Sequence, residues 1–415
     1  MEMEPRAELW RRPDFRHLIA ALGISHLGAK IAREALPLTA VLALGAGPLA
    51  MSSITIANTL PTILLALHAG ALLDRIRRRP MMIWSDLLRC LVLLSVPMAA
   101  LLDLLSITQL CLVAFLVSAA TLAFDIADQA YLPGLVGRGH ILKANAAKEA
   151  TDASTEIVGP PLGGLLVQVI GAPLTILVNA LSYLLSAVFL LRIGVRETAP
   201  AIATRPDFRR EIGDGLRVMW RDSVLRPLLY ARFIRTFFGA MLAPFYVLYL
   251  VRDLGVSPLV LGVIVATGGA ASLIGAAAVP RLATRLPVGP GLILAFAAKT
   301  MGLACVPLAG VMLGVSPLLV VPLLILQQCL ADGSTGYFAV LERTLRQQRV
   351  APELLGRAGA TTRLVNDAPV PFAALLAGVV AERYGIDPVL WIAIAGYALA
   401  PVVAFFSAVR RLRSI

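Results

Sequence analysis

Charged side chains stand inside an apolar run near the start of the chain. Within residues 18–44, His26, Lys30 and Arg33 follow one another at intervals of four and three, and Glu34 is next to them. Those intervals place the three side chains on one face of a helix. Ion pairing, proton transfer and binding of a charged solute are the chemistry that such groups can support.

Carboxylates recur in two later apolar runs. Asp125 and Asp128 are one helical turn apart. A second group has the same kind of spacing and consists of Glu149, Asp152 and Glu156. An ionised group at the centre of a bilayer costs several kcal/mol, about 2.5–3.5 even on the insertion scale. Such groups are therefore expected to face a partner or a water-filled cavity.

The elements that must position these residues are membrane-spanning helices. The chain has 415 residues, of which 58% are apolar and 15% charged, against about 25% charged in soluble proteins. Apolar runs of about 20 residues, the length that a helix needs to cross a bilayer, recur along the chain. They predict an all-α polytopic membrane protein with twelve spans: 18–44, 50–73, 81–103, 107–131, 147–170, 172–193, 225–251, 257–281, 287–313, 316–341, 358–382 and 387–409.

The basic residues lie in short stretches between these runs, so the net charge of +12 does not indicate a nucleic-acid-binding protein. If successive spans alternate in direction, nearly all of these residues fall on one side. Cytoplasmic loops carry such an excess of lysine and arginine. We therefore expect a multi-pass protein with both termini in the cytoplasm. The acidic first residues and the long first apolar run predict no cleaved signal peptide.

The longest polar stretch, residues 194–224, separates two halves that resemble each other. Trp10-Arg11 recurs as Trp220-Arg221, and Pro133 to Arg138 recurs as Pro352 to Arg357, at similar offsets. Six plus six spans with internal repeats are typical of secondary transporters. We predict an N-terminal six-helix bundle over 1–193, a cytoplasmic linker over 194–224 and a C-terminal six-helix bundle over 225–415.

The linker itself contains a helical pattern. Between Glu211 and Asp222, the apolar residues Ile212, Leu216 and Met219 follow at helical spacing among charged residues. This pattern predicts an amphipathic helix that lies on the cytoplasmic face of the membrane.

The end of the second span carries the motif Gly70-Ala-Leu-Leu-Asp74-Arg75-Ile-Arg77-Arg78-Arg79. It resembles the cytoplasmic loop signature of the major facilitator superfamily, although the usual glycine after Asp-Arg-x is Arg77 here. Asp74 at the membrane edge can accept hydrogen bonds from arginines or from a helix N-terminus. Such contacts could close the cytoplasmic side of the protein as a gate. The alternative is an ordinary basic loop that only sets the topology. The predicted cytoplasmic gate consists of Gly70, Asp74, Arg75, Arg78 and, in the third span beside Asp86, Arg89.

The fifth span contains Gly159-Pro160-Pro161-Leu162-Gly163-Gly164. It resembles part of the motif associated with antiporters in the same superfamily, although Thr155 stands where the motif has an upstream glycine. Gly159, Gly163 and Gly164 form a face of small residues for close helix packing, and Pro160 interrupts the backbone hydrogen bonds. The alternative is a packing kink with no bearing on the direction of transport.

The resemblance extends over most of the chain and is nearest to a bacterial efflux branch that includes enterobactin-exporter-like and macrolide-efflux-like proteins. It implies the major facilitator fold, in which the first, fourth and fifth helices border a central cavity. The charged side chains described above would then form one proton and substrate network. Its members are Lys30, Arg33, Glu34, Asp125, Asp128, Asp152 and Glu156.

Five acids face two bases in this predicted network. Because crowded buried carboxylates resist full ionisation, at least one is expected to carry a proton near neutral pH. Glu34 and Asp128 are favoured because each lies beside a possible basic partner. The alternative is a structural set of pairs that fixes helix register or holds one conformation. Relatives in the branch often have basic or neutral residues at the positions of Asp128, Asp152 and Glu156. Their substrates are therefore a poor guide to the substrate of this protein.

The second half offers fewer polar groups. The candidate cavity residues there are Arg235, Phe238, Tyr246, Asp332, Tyr337, Arg363 and Asp367. Arg363 and Asp367 are four residues apart and can pair along one helix. The aromatic residues would line an amphiphile-binding wall, or they simply pack. Lys299 has no predicted role.

The leading functional prediction is proton-coupled export of a small amphiphilic or cationic compound across a bacterial cytoplasmic (inner) membrane. A symporter that imports a charged metabolite is the second possibility, and a non-pumping lipid-handling or sensory protein is the third. The usual motifs of hydrolases, zinc proteases and phosphate loops are missing from the sequence, so we expect no enzyme, cofactor or metal. The expected partners are the substrate, protons and lipid, and the expected state is a monomer.

Overall fold

The computed structural model describes residues 7–73, 77–195 and 208–413, and these ranges are helical with no strand. The two short helices are α1 Ala7–Arg11 and α8 Phe208–Arg221. The long helices of the first half are α2 Pro13–Leu44, α3 Pro48–Leu73, α4 Arg78–Leu101, α5 Ile107–Val136, α6 Ile141–Ile170 and α7 Ala172–Leu191. Those of the second half are α9 Leu225–Asp253, α10 Pro258–Leu282, α11 Val288–Leu313, α12 Pro317–Arg349, α13 Leu355–Tyr384 and α14 Ile386–Phe405.

Each predicted span coincides with one long helix. Among the described residues, 10 helices, α4–α7 and α9–α14, are long and apolar enough to cross a membrane. The other two, α2 and α3, have 32 and 26 residues, and α2 carries Lys30, Arg33 and Glu34 along its length. The chain is therefore an all-α polytopic membrane protein with six long helices in each half.

The two halves repeat the same helix pairings. In the first half, α2 packs on α6 and α7, and α4 packs on α5 and α7. In the second half, α9 packs on α13 and α14, and α11 packs on α12 and α14. These four pairings occupy equivalent places in each six-helix set. The internal repeat seen in the sequence is thus a repeat of the structure.

The chain separates into two compact units whose boundary crosses α3. One unit holds α2, α4–α7 and the part of α3 from Leu60 on; the other holds Ala46–Thr59 with α8–α14. This differs from the predicted bundle over 1–193. Gly378 of α13 has no side chain, and a Cβ there would lie 2.6 Å from Ser52 Oγ. The absence of a side chain lets the start of α3 pack closely on α13.

Glycines with positive φ end α5 and α6. Gly137 has φ 77° where α5 ends, and Gly171 has φ 84° where α6 ends. Such a conformation is costly for residues with a Cβ and ends a helix sharply. The α6 helix begins at Ile141, earlier than the predicted start at 147. Lys148 therefore lies two turns inside the helix.

The α8 helix packs on the start of α13. Gly215 lies directly against the backbone of Arg357, and Arg357 Nη1 donates to Asp214 Oδ2 at 2.9 Å. Met219 is buried in a cluster with Val350 and Ala358, among others. Residues 196–207 lie outside the described residues, so the 194–224 linker as a whole stays a prediction.

The predicted apolar face of this helix needs a correction. Leu216 is exposed, and the side chain of Ile212 lies outside the described residues. The buried face runs through Gly215 and Met219, because close contact with the α13 backbone requires a residue without a side chain at that position. Of the three predicted apolar positions, Met219 is the one that the structure shows to be buried.

Candidate transport site

Lys30 and Arg33 of α2 meet a carboxylate of α6. Lys30 Nζ pairs with Glu156, and Arg33 Nη2 lies 2.8 Å from Glu156 Oε1. Arg33 Nε lies a longer 3.4 Å from Glu34 Oε1. Glu34 is the most buried member of this group, with a side chain that is 8% exposed. The structure thus brings these four predicted residues together on the α2–α6 contact.

The glycine motif of α6 allows this approach. A Cβ on Gly159 would collide with the Lys30 side chain, and one on Gly163 would lie 3.0 Å from the Ile31 backbone oxygen. Pro160 and Gly164 are buried in the same stretch. Gly159 is one turn beyond Glu156, so the face of small residues and the ion pair share one side of α6. Close packing is what these residues do here.

A second link between α2 and α6 joins His26 and Asp152. His26 Nδ1 lies 2.7 Å from Asp152 Oδ1. The Asp152 side chain is about half exposed and that of His26 is mostly buried. Successive turns on one face of α2 are therefore tied to α6 through Asp152 and Glu156.

Asp128 of α5 pairs with a residue that the sequence analysis missed. Its partner is Lys148 of α6, and the Asp128 side chain is almost fully buried. Lys148 is four residues before Asp152, so it shares the α6 face that carries the other acids. The four-residue spacing between Lys148 and Asp152 was the signal in the sequence that could have identified Lys148 as part of the cluster. It was overlooked because Lys148 lies close to the predicted start of the span at 147, where basic residues usually set topology.

Asp125 stands apart from these pairs. It is half-buried and makes no ion pair or side-chain hydrogen bond within the ranges that the structure describes. The ionisable groups near enough to act on it are Arg89, His26, Asp128 and Lys148. Asp125 is thus a carboxylate without a direct ion-pair partner among the described residues, inside the charged cluster of the first unit.

Arg89 lies inside the third span and contacts Asp86, the residue named beside it in the gate prediction. It is 2% exposed and pairs with Asp86 one turn earlier on α4. Its Cζ lies 4.5 Å from the Phe124 ring centroid and 4.1 Å from that of Tyr183. Arg89 is therefore held between rings in the core of the first unit. Its role in a gate stays a prediction.

The other gate residues are described only in part. Asp74 and Arg75 lie outside the described residues. Gly70 belongs to α3, and Arg78 is the first residue of α4. The neighbouring Arg79 donates to the backbone oxygens of Leu190 and Leu191 at the end of α7. The gate stays a prediction for Gly70, Asp74, Arg75 and Arg78.

In the second unit, Arg235 of α9 lies in an aromatic setting. Arg235 Nε donates to the Tyr397 hydroxyl at 2.7 Å, and its Cζ lies 4.3 Å from the Phe338 ring centroid. The nearby Arg232 Nη2 lies 2.8 Å from Glu342 Oε2 of α12. Both α9 arginines are thus engaged by side chains of the same unit.

Lys299 has partners that sequence spacing could not reveal. Its Nζ donates to Thr335 Oγ1 at 2.7 Å and lies 4.0 Å from Asp332 Oδ1, both on α12. Asp332 also lies against Gly268 of α10. The pairing depends on how α11 and α12 pack, which the order of residues along the chain does not express. The hydrogen bond to Thr335 is the shorter of the two contacts that Lys299 makes with α12.

The remaining second-half candidates divide into polar contacts and packing residues. The Tyr246 hydroxyl donates to Gln327 Oε1 at 2.9 Å, and Arg363 Nε lies 3.7 Å from Asp367 Oδ2. Phe238 packs against Gly396 of α14. Tyr337 is 7% exposed and belongs to the hydrophobic core of the second unit. The ring of Tyr337 packs among core side chains here, and its predicted cavity role stays a prediction.

The described residues contain no group of three histidine, cysteine, aspartate or glutamate side chains that could hold a metal ion. What they contain is a set of paired charges inside membrane-spanning helices, in two structurally repeated six-helix halves. These features are those of a membrane transporter.

The chain belongs to the Major Facilitator Superfamily, whose family model its sequence matches over residues 18–373. The family and the transporter fold of its structural neighbours make the protein a transporter and not an enzyme.

Several relatives are efflux pumps or transporters. The "Multidrug efflux pump Tap" of Mycolicibacterium fortuitum is 32% identical over 45% of this chain and 47% of that protein, so the chain matches about half of its length. The MFS-type transporter YfiS of Bacillus subtilis is 28% identical over 63% of this chain and 62% of that protein. The Tap pump of Mycobacterium tuberculosis (strain ATCC 25618 / H37Rv) is 26% identical over 81% of this chain and 79% of that protein.

Solved structures share the fold. A bacterial homologue of the iron transporter ferroportin, in its inward-facing state, gives a TM-score of 0.74 at 17% identity, with 96% of this chain and 98% of that chain covered. The nucleoside transporter NupG gives a TM-score of 0.72 at 11% identity, with 94% and 97% covered. At these identities the likeness concerns the fold alone.

Proposed function

We propose that this protein is a proton-coupled exporter that moves small cationic or amphiphilic compounds by alternating access. The observation that carries the proposal is Asp125, a half-buried carboxylate with no ion-pair partner in the part of the chain that the structure describes. A carboxylate in such a place can hold a proton or a cation, but not both. Competition of this kind couples the exit of one to the entry of the other.

The charge balance around Asp125 supports this role. Lys148 joins Lys30 and Arg33 as a third base of the cluster, beyond the two that the sequence indicated. Asp128 and Glu156 are both compensated by these bases. Glu34 has Arg33 at 3.4 Å, so the favoured proton site moves from Glu34 or Asp128 to Asp125.

His26 is the second candidate for a proton carrier. It contacts Asp152 at 2.7 Å and also acts electrostatically on Asp125. Histidine exchanges protons under physiological conditions more readily than other side chains. We propose that a proton passes between His26 and the carboxylates of α5 and α6 during the cycle.

Export is the direction favoured by the relatives. The Tap proteins of M. fortuitum and M. tuberculosis are named multidrug efflux pumps, and the similarity to the latter spans most of this chain. We propose by analogy that the present protein also moves compounds outward. The half-exposed Asp152 side chain offers negative charge to a cationic compound.

The test is proton flux in proteoliposomes with a trapped pH dye and an inside-acid gradient. Cationic drugs, siderophores, amino acids and organic acids are added outside, one at a time. A compound that speeds loss of the acid gradient is exchanged for protons and supports antiport. A compound that acidifies the lumen of gradient-free vesicles travels with protons, and the importer function then replaces the proposal.

The variant D125N makes the test specific. We expect it to reduce compound-driven proton flux at least about tenfold, as loss of a catalytic proton carrier does. The matched control is D103N, because Asp103 is exposed in the α4–α5 loop and its left-handed backbone (φ 55°) suits asparagine. Normal coupled flux in D125N would contradict the role of Asp125. Failure of every compound in the parent protein would contradict coupled transport itself.

We further propose that the protein is a monomer in the bacterial cytoplasmic membrane with both termini in the cytoplasm. The arginine-rich loops that follow the even-numbered spans support this orientation. A cysteine introduced as R411C should react with an impermeant maleimide only after the cells are opened, in a background with C329S. Labelling of intact cells would reverse the orientation. Light scattering of the detergent-solubilised protein tests whether the protein is a monomer.

A further inference from the structure

Each unit presents an exposed tryptophan just before its first long helix. Trp10 is 47% exposed and Trp220 is 46% exposed. Trp10 packs edge-on against Phe15 with ring centroids 5.3 Å apart, and Trp220 packs edge-on against Tyr230, also at 5.3 Å. A large ring held half in the open at the start of a membrane-spanning helix suits the level of the lipid headgroups, where tryptophan is enriched.

Two arginines accompany each tryptophan, at matching positions in the two sets. Arg11 ends α1 and Arg16 lies in the first turn of α2; Arg221 ends α8 and Arg226 lies in the first turn of α9. The two sets keep one constant offset along the sequence. We call each set a tryptophan–arginine corner: Trp10, Arg11 and Arg16 in one unit, and Trp220, Arg221 and Arg226 in the other.

Among the described side chains, the positive charge of both corners is uncompensated. All four arginines are exposed, and none makes an ion pair or side-chain hydrogen bond in the regions that the structure describes. The described acids nearby, Asp14 and Asp222, are engaged elsewhere. Asp14 accepts the backbone N–H of Gly194 at 2.8 Å, and Asp222 accepts the backbone N–H groups of Val224 and Leu225 and pairs with Arg349.

We propose that each corner binds the headgroup of an anionic phospholipid. The two guanidinium groups match the oxygens of the headgroup phosphate, since arginine forms paired hydrogen bonds with phosphate oxygens. The indole ring lies against the glycerol and upper acyl chain. Basic residues beside a span attract anionic lipids in this way. Repetition in both units gives two such sites, one before α2 and one before α9.

Quenching of tryptophan fluorescence by brominated lipids tests each corner separately. The background variant W84F/W391F retains Trp10 and Trp220, and a further W10F change isolates Trp220. In reconstituted vesicles we expect brominated phosphatidylglycerol to quench Trp220 at lower mole fraction than brominated phosphatidylcholine does. R221Q/R226Q should weaken this preference by about fivefold or more for each arginine removed.

Two controls make the outcome decisive. R285Q removes an exposed arginine that is not part of either corner, and it should leave the preference unchanged. A W220F change in the W84F/W391F background isolates Trp10. In that protein, R221Q/R226Q should leave the lipid preference in Trp10 quenching unchanged, which shows that the protein is folded. Equal quenching by the two brominated lipids would overturn the proposal. So would loss of the preference on addition of inorganic phosphate, which would mean a site for free anions.

Discussion

Arg33 Nη2 lies 2.8 Å from Glu156 Oε1, and this contact joins α2 to α6 inside the membrane-spanning part of the first unit. Lys30 approaches the same carboxylate. Glu156 thus pairs with both bases on the helix face where glycines bring the backbones close, and Glu34, 3.4 Å from Arg33, supplies the second negative charge. The arrangement explains how α2 keeps three charges along an otherwise apolar helix.

E156Q should destabilise the protein by about 1–3 kcal/mol, because it leaves Lys30 and Arg33 without their shared counter-charge. The expected loss of stability is smaller than for a fully buried ion pair, because Glu156 is partly exposed. Thermal unfolding of the detergent-solubilised protein measures the effect. The control is E149Q on the same helix, since Glu149 is exposed and unpaired among the described side chains. Equal melting temperatures for the two variants would contradict the prediction.

G159A should lower both stability and transport. A methyl group there would collide with Lys30, so α2 and α6 must separate and the nearby ion pair must lengthen. Overpacking of this kind costs about 1–3 kcal/mol. The control is G134A in α5, where a Cβ meets nothing within 4 Å. That variant should be neutral or slightly stabilising, because alanine favours a helix over glycine. The melting temperatures of the two proteins give the comparison.

Lys148 and Asp128 should be energetically coupled. K148M leaves the buried Asp128 carboxylate without its partner, while the double variant K148M/D128N removes both charges. We expect the double variant to be more stable than the sum of the single changes predicts, by about 1–3 kcal/mol. A double-mutant cycle of unfolding free energies measures the coupling. Additive effects would mean that the contact contributes nothing to stability.

Asp222 should make the α8–α9 junction sensitive to acid. Burial alone would raise its pKa, but the backbone N–H groups of Leu225 and Val224, with Arg349, hold this pKa below its usual range. A carboxylate with a lowered pKa adds stability above the ordinary value of about 4, and this is lost as the pH falls through the lowered value. D222A should therefore cost about 1 kcal/mol at neutral pH. The difference from the parent protein should vanish in strong acid.

Unfolding measured at a series of pH values checks this prediction. A D103A variant, which removes an exposed aspartate, should show no such pH-dependent difference. A D222A deficit that stayed constant down to the lowest pH would mean that the carboxylate charge is irrelevant.

Long apolar runs and charge spacing predicted much of the fold and part of the site. The twelve spans were visible because each apolar run has the length that a helix needs to cross the hydrocarbon core of a bilayer. The contact of Lys30 and Arg33 with Glu156 agrees with the predicted network because each group lies on one helix face. Lys148 was missed because α6 begins earlier than its apolar run does. The partners of Lys299 lie on a neighbouring helix, and spacing along the chain does not indicate how two helices are rotated against each other.

The α3 helix has a consequence for how the protein is made. Its start, Ala46–Thr59, belongs with the second unit, and Leu49 N–H donates to Glu382 Oε2 across 333 residues of sequence. A ribosome synthesises this segment long before its partner helix α13. Contacts so distant in sequence form slowly, since a long loop must close first. The second unit therefore completes its assembly only after α13 has emerged, and residues 206–415 expressed alone would lack a helix face that the unit needs.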